Sequence, residues 1–279
     1  MGGSGTMCKM KQMSLSVRIA CMLWKQFSLA VVLSTLLCST SSSQTAPGTP
    51  AKTPILDFHA PPGDPYAKAI RDDASASVKQ IQSFFGAPFP DPIHFQMVVD
   101  RANFDAAVAK FGLNPTQCWT VGPGTADLMV LLSPQAWAKQ ACEHGPNALE
   151  ATRLLVTHEL VHVYHGQFNP TRDFTGIDDL DWFIEGWAVF GSGQLTKDRL
   201  GQMQAAVSAG QVPTSLSKIR TGPNQYVFAG SLVRYVDQTW GRATTVRLLK
   251  VQNSAEALAL LGTSEETLLA GWRASMMHP

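Results

Sequence analysis

His158-Glu159-Leu160-Val161-His162 sets two imidazoles four residues apart with a carboxylate beside the first. On an α-helix, residues i and i+4 share one face, about 6 Å apart along the axis. From there two histidines reach one zinc ion through nitrogen at about 2.0–2.1 Å. Glu159 then stands beside the open side of the metal, where it can take a proton from bound water. The flanking sequence predicts the helix. No Gly or Pro occurs from Ala148 to His165, and Leu149, Leu154, Leu155, Leu160, Val161 and Val163 supply apolar positions. Asn147 fits an N-cap, with Glu150 three residues on. Gly166 fits the C-terminal stop, with Pro170 beyond it. The pentad is therefore expected inside a helix of roughly five turns.

Catalytic zinc usually takes three protein ligands and keeps a fourth position open. His165 follows His162 by three residues, but lies about 10 Å along the axis from His158, too far to share a tetrahedral ion with it. A metzincin site would need Gly at position 165 and His at 168, where this chain has His165 and Phe168. The better third ligand is Glu185, within Asp181-Trp182-Phe183-Ile184-Glu185-Gly186-Trp187-Ala188-Val189-Phe190. That segment reads as a second, mostly buried helix, and a carboxylate amid such neighbours needs a partner. The alternative is a Glu on a solvated helix stripe. The 22 residues between His162 and Glu185 include a polar, acidic stretch from Asn169 to Asp181, expected to rim the cleft.

His-Glu-Leu-Val-His followed by Trp-Phe-Ile-Glu-Gly-Trp-Ala resembles the gluzincin metallopeptidases, specifically the peptidase MA-like group. The likeness spans roughly residues 90–277. It implies His158, His162 and Glu185 as zinc ligands and Glu159 as general base. It also implies a thermolysin-like zincin fold in which an edge strand ahead of the active helix pairs with extended substrate. Tyr226, in the run Tyr226–Val236, is similar to a tyrosine on the helix after the glutamate helix. There its phenol would donate to the oxyanion; the other reading is a core tyrosine beside Phe228. Gly262–Glu266 with Trp272-Arg273 looks like the closing helix. One departure stands out: some gluzincins carry Asp four residues after the glutamate ligand, to hold a zinc-bound histidine, and this chain has Val189 there. Asp178, Asp179, Asp181 or a backbone carbonyl would then hold that ring.

The N-terminus reads as a leader. Lys9, Lys11, Arg18 and Lys25 precede the apolar run Phe27–Leu37, and small polar residues follow to Ala46. Eleven apolar residues fall short of the roughly 20 that span a bilayer as a helix. Residues 1–46 are thus expected to be removed, with cleavage between Ser39 and Ala46, and the mature chain to be secreted or to lie in the periplasm or cell envelope. Cys38 offers lipid anchoring as the lesser reading, because Leu37 before it is large for a lipobox. The whole chain carries 22 Lys+Arg and 21 Asp+Glu; four of the basic residues lie before Pro47, leaving 18 against 21. No basic stripe points to nucleic acid. Of five cysteines, Cys118 and Cys142 lie beyond the leader and are expected to pair in an oxidising compartment. Pro blocks both Asn-Pro-Thr triplets, at Asn114 and Asn169, as glycosylation sites.

Residues 47–65, rich in Pro, Thr and Gly, read as a flexible linker, and 66–279 as one metallopeptidase domain. A helix is expected over Tyr66–Phe85, strands over Ile93–Val99 and Leu128–Leu132, and a short helix over Asn103–Phe111. From Asn147 on the chain reads as helices, broken at Gln211-Val212-Pro213 and Gly222-Pro223. The expected class is α+β: a small N-terminal lobe with a mixed sheet, a mainly helical C-terminal lobe, and the active helix between. Trp119, Trp137, Trp240 and Trp272 are expected in the core. The expected activity is zinc-dependent hydrolysis of a peptide or protein substrate. Two rivals are a peptide-binding module of the same fold and a surface protein whose metal is structural. The intact Glu159 and an open fourth position favour catalysis.

Overall fold

The computed structural model describes residues 55–110, 116–142, 144 and 149–277. The leader, with Cys38 and the expected cleavage window, lies outside these residues, as do Asn147 and Phe111. The first elements are β1 (Leu56–His59), α1 (Ala67–Phe85), β2 (Ile93–Val98), α2 (Arg101–Ala109), β3 (Leu128–Leu132) and α3 (Pro134–Gln140). The long helix α4 (Leu149–Phe168) follows, then α5 (Asp181–Ser192), α6 (Lys197–Ser208), α7 (Leu216–Ile219) and α8 (Gln225–Trp240). α9 (Arg242–Arg247), α10 (Ser254–Leu261) and α11 (Glu265–Met277) complete the chain. Among the described residues no helix is long and apolar enough to cross a membrane.

The three strands form one sheet in the order β1-β2-β3, and both pairings are parallel, where a mixed sheet was expected. Parallel neighbours need crossover connections, which α1 and α2 supply. β2 alternates as the sequence predicts: Ile93, Phe95 and Met97 are buried, while His94 and Gln96 face out. β1 falls inside the stretch read as a linker. Asp64 anchors the rest of that stretch, accepting from the Tyr66 N–H at 2.8 Å and the Ser133 hydroxyl at 2.6 Å. Pro and Gly frequency concealed a short strand that pairs only once β2 is in place.

A single hydrophobic core joins sheet and helices rather than dividing into two lobes. α1 lies along α4 and is tied to it by a buried 2.7 Å hydrogen bond between the Ser77 and Thr157 hydroxyls. Gly166 does not end α4, which runs on to Phe168. A Cβ there would lie 2.7 Å from the Arg172 carbonyl and 2.9 Å from the Ala126 nitrogen, so the glycine admits backbone rather than stopping a helix. Trp137 and Trp272 are buried and Trp240 is half-buried, with each indole N–H bonded. Trp119 is the exception at 46% exposed. It adjoins the Cys118–Cys142 disulfide (Cα–Cα 5.3 Å), which ties the approach to β3 to the end of α3. Pairing therefore follows the expectation.

Candidate metal centre

α4 presents His158 and His162 on one face, as their spacing requires, and α5 brings Glu185 against them. The His158 and His162 Nε2 atoms are 3.2 Å apart, and Glu185 Oε2 lies 3.3 and 3.7 Å from them. One ligand atom from each of the three residues falls within 4.8 Å of the others, the one such group found among the described residues. Glu185 Oε2 is buried there without a hydrogen-bond partner among the described residues. Two imidazole nitrogens and an orphaned carboxylate oxygen facing one point fit a divalent cation of borderline softness. His165 is not part of the group. It is fully buried against Phe174 and Phe183, at ring distances of 4.9 and 5.7 Å. Burial drives its pKa down to about 3, so it stays neutral.

The glycine after the ligand explains how a third helix reaches the centre. A Cβ on Gly186 would sit 2.5 Å from the Ala229 carbonyl of α8, and one on Gly230 would sit 2.4 Å from Val189. These two glycines let α5 and α8 approach closely, backbone to backbone at Gly186 and backbone to side chain at Gly230. Val189, at the position where the resemblance implies an acidic partner, is spent on this contact. Four residues before Gly230, α8 carries Tyr226, whose ring lies 6.3 Å from that of His158. Arg220, just before α8, stacks its guanidinium 4.2 Å over the Tyr226 ring and sets Nη2 3.5 Å from Glu185 Oε1. Arg220 belongs to none of the motifs legible in the sequence.

Glu159 lies beside the ligands, and Gly124 donates its N–H to Glu159 Oε2 at 3.0 Å. Burial raises the Glu159 pKa, against the pull of His158 and His162. Burial would raise Glu185 as well, but His158, His162 and Arg220 outweigh it and hold that carboxyl well below the usual range. Glu185 and Glu159 likewise raise His162 against its burial. Tyr226 is raised by burial and by Glu185, with Arg220 opposing.

Two loops border the group. β3 was expected to offer a free edge to substrate, but the chain itself takes it. Leu132 and Val130 donate to the Val121 and Pro123 carbonyls at 2.8 and 3.2 Å, and Gly124 bridges Met129 in antiparallel sense. The outer rim is thus the segment Val121–Gly124, held close to α4 because a Cβ on Gly124 would meet the Glu159 carbonyl at 2.4 Å. The Asn169–Asp181 loop does border the group, through an aromatic side chain. Phe174 has φ 60° and faces His162 at 6.2 Å. A non-glycine residue in the left-handed region costs of order 1 kcal/mol or more. Its anchors hold it there: Arg172 pairs with Asp91 and Asp127, and the Phe174 N–H donates to the Thr171 carbonyl at 3.1 Å.

Two of the acidic residues expected to hold a ligand histidine have other partners. Asp179 accepts from the Ser254 backbone and hydroxyl, Asp181 lies near Arg220, and the Asp178 side chain is outside the described residues. The outer nitrogen of His158 meets Gln194 instead, with Nδ1 3.1 Å from Oε1. A scan against protein-family models gives no match, and searches of curated proteins and of solved structures find no chain similar to this one.

Proposed function

We propose that this chain is a secreted or envelope zinc peptidase of gluzincin type, with the thermolysin-like arrangement that the sequence resembles. The observation that carries the reading is the convergence of His158, His162 and Glu185 with Glu159 beside them. Zinc held by those three side chains would supply a Lewis acid and a water acidified toward neutrality. Glu159 is the general base: its raised pKa suits a group that takes a proton and returns it to the leaving amine. Gly124 orients that carboxylate through its N–H. In this reading Tyr226 donates to the developing oxyanion, and Arg220 holds both the Tyr226 ring and Glu185. The Val121–Gly124 rim and Phe174 border the groove in which a peptide or protein substrate would lie.

The test is the Glu159→Gln variant of the mature protein on a diverse peptide library. Wild type should cleave, and the variant should keep zinc and fold while losing hydrolysis by several orders of magnitude. Wild-type protein that binds zinc and peptides yet cleaves nothing would make the chain a binding module. Bound zinc with neither activity would make the metal structural.

A further inference from the structure

Gln194 reaches the ligand cluster through the turn that ends α5. Gly193 closes that helix at φ 82°, its N–H returning to the Phe190 and Val189 carbonyls. The Gln194 N–H also returns to Val189, at 3.1 Å. A left-handed turn of this kind is open to glycine at little cost. It throws the Gln194 side chain back across α4. There Nε2 donates to the Leu154 carbonyl at 3.4 Å, and Oε1 lies 3.1 Å from His158 Nδ1.

These two contacts fix each other. A backbone carbonyl only accepts, so the amide NH2 must face Leu154. Oε1 then faces His158, and an amide oxygen also only accepts. The proton of neutral His158 must sit on Nδ1. Its Nε2 lone pair is left free, 3.2 Å from His162 Nε2 and 3.3 Å from Glu185 Oε2.

We infer that Gln194 positions His158 as a metal ligand, selecting the Nδ1–H tautomer and the ring orientation that turn Nε2 to the ion. The inference rests on the metal-centre reading above. Histidine ligands are generally held from behind by a carboxylate, a carbonyl or water. Here a neutral carboxamide takes that place, so the ring is oriented without a further negative charge behind it. The Val189 side chain carries no acceptor, and it packs on Gly230 instead. The acidic residues of the preceding loop are not needed for it.

The experiment uses the whole mature protein with zinc as the probe, in competition with a chelator of known affinity. Gln194→Ala should weaken zinc binding by about 10–100-fold. Gln194→Glu should bind at least as tightly as wild type, because a carboxylate accepts the same proton. Rescue by Glu separates positioning from packing, since a merely structural glutamine would not be replaced by a charge. A second measurement needs no metal and no variant: nitrogen-15 imidazole spectra of the metal-free protein should show His158 protonated on Nδ1. Zinc affinity unchanged in Gln194→Ala, or a Glu variant as weak as the Ala variant, overturns the inference. So does His158 protonated on Nε2. If wild type binds no zinc, the metal-centre reading fails by itself; the tautomer, and its loss in Gln194→Ala, then still decides whether Gln194 sets the ring.

Discussion

His158, His162 and Glu185 on α4 and α5, and His59, His94 and Asp57 on β1 and β2, are the same chemical inventory in two environments. On the sheet, Asp57 stands between the two rings, with Oδ1 2.9 Å from His59 Nε2 and Oδ2 3.0 Å from His94 Nδ1. Each imidazole takes one oxygen, so their lone pairs do not converge. The two side chains are 70% and 58% exposed, and water solvates what the carboxylate does not. On the helices the two rings face each other, the carboxylate joins them at one point, and water is largely excluded. Composition does not make a ligand set. The i, i+4 spacing converges two nitrogens, and a packed second helix brings Glu185 to them, with Oε2 facing the two rings and Arg220 facing Oε1.

The largest test of that contrast is metal stoichiometry. His158→Ala, His162→Ala or Glu185→Ala should reduce zinc from one per chain toward none after dialysis, measured by metal analysis. His59→Ala, His94→Ala and Asp57→Ala should leave it at one. Full zinc retention in Glu185→Ala would remove the third ligand and break the comparison. Acid should also release the metal. Without zinc, Glu185 and Glu159 favour protonated His162, so binding must expel that proton and weakens as pH falls.

Next in size is the phenol. Tyr226→Phe should lower kcat and kcat/KM together by about 10²-fold, with zinc content and Tm nearly unchanged. The ring sits between Arg220 and His158 rather than deep among apolar side chains. A lowered Tm with unaltered turnover would return Tyr226 to packing. A smaller effect belongs to the helix contact that brings it there. Gly186→Ala forces a methyl against the Ala229 carbonyl and should cost about 1–3 kcal/mol in denaturant unfolding. Gly193→Ala would instead act through backbone strain, since nothing lies within 4 Å of its missing Cβ.

What could be read from sequence follows from the range of the forces involved. The α4 pair is local: two residues one turn apart, with no helix breaker near. Glu185 was legible because a lone carboxylate among Trp182, Phe183, Ile184 and Trp187 is costly without a partner. Residues that depend on chain reversals were not. Gln194 arrives through one left-handed glycine, and Arg220 through two loops. Gly166 looks the same in sequence whether it ends a helix or admits a neighbour's backbone. Sheet direction was equally hidden, because β2 alternates alike in parallel and antiparallel ladders. The free edge expected of β3 failed because residues 121–125 return along it, and a Gly-Pro-Gly run gives no period to reveal that pairing.

The smallest prediction concerns the sheet cluster itself. Hydrogen bonds from His59, then His94, lower the Asp57 pKa. A carboxylate whose folded-state pKa is depressed contributes stability that is present above its unfolded value, about 3.9, and lost as pH falls through the folded value. Asp57→Asn should therefore melt slightly below wild type near pH 5, and the gap should close only as pH falls below about 3.9 and through the folded value. The site is exposed, so the gap should be at most about one degree and should vanish in 1 M salt, where charges are screened beyond about 3 Å. The buried group behaves otherwise: Glu185 is shielded from salt, and its replacement should be felt at any ionic strength through the metal it would hold. Melting curves of both variants at low and high salt make the measurement. A salt-resistant loss at Asp57 as large as that at Glu185 would mean that the sheet cluster is held as tightly as the helical one, and burial would no longer be what separates them.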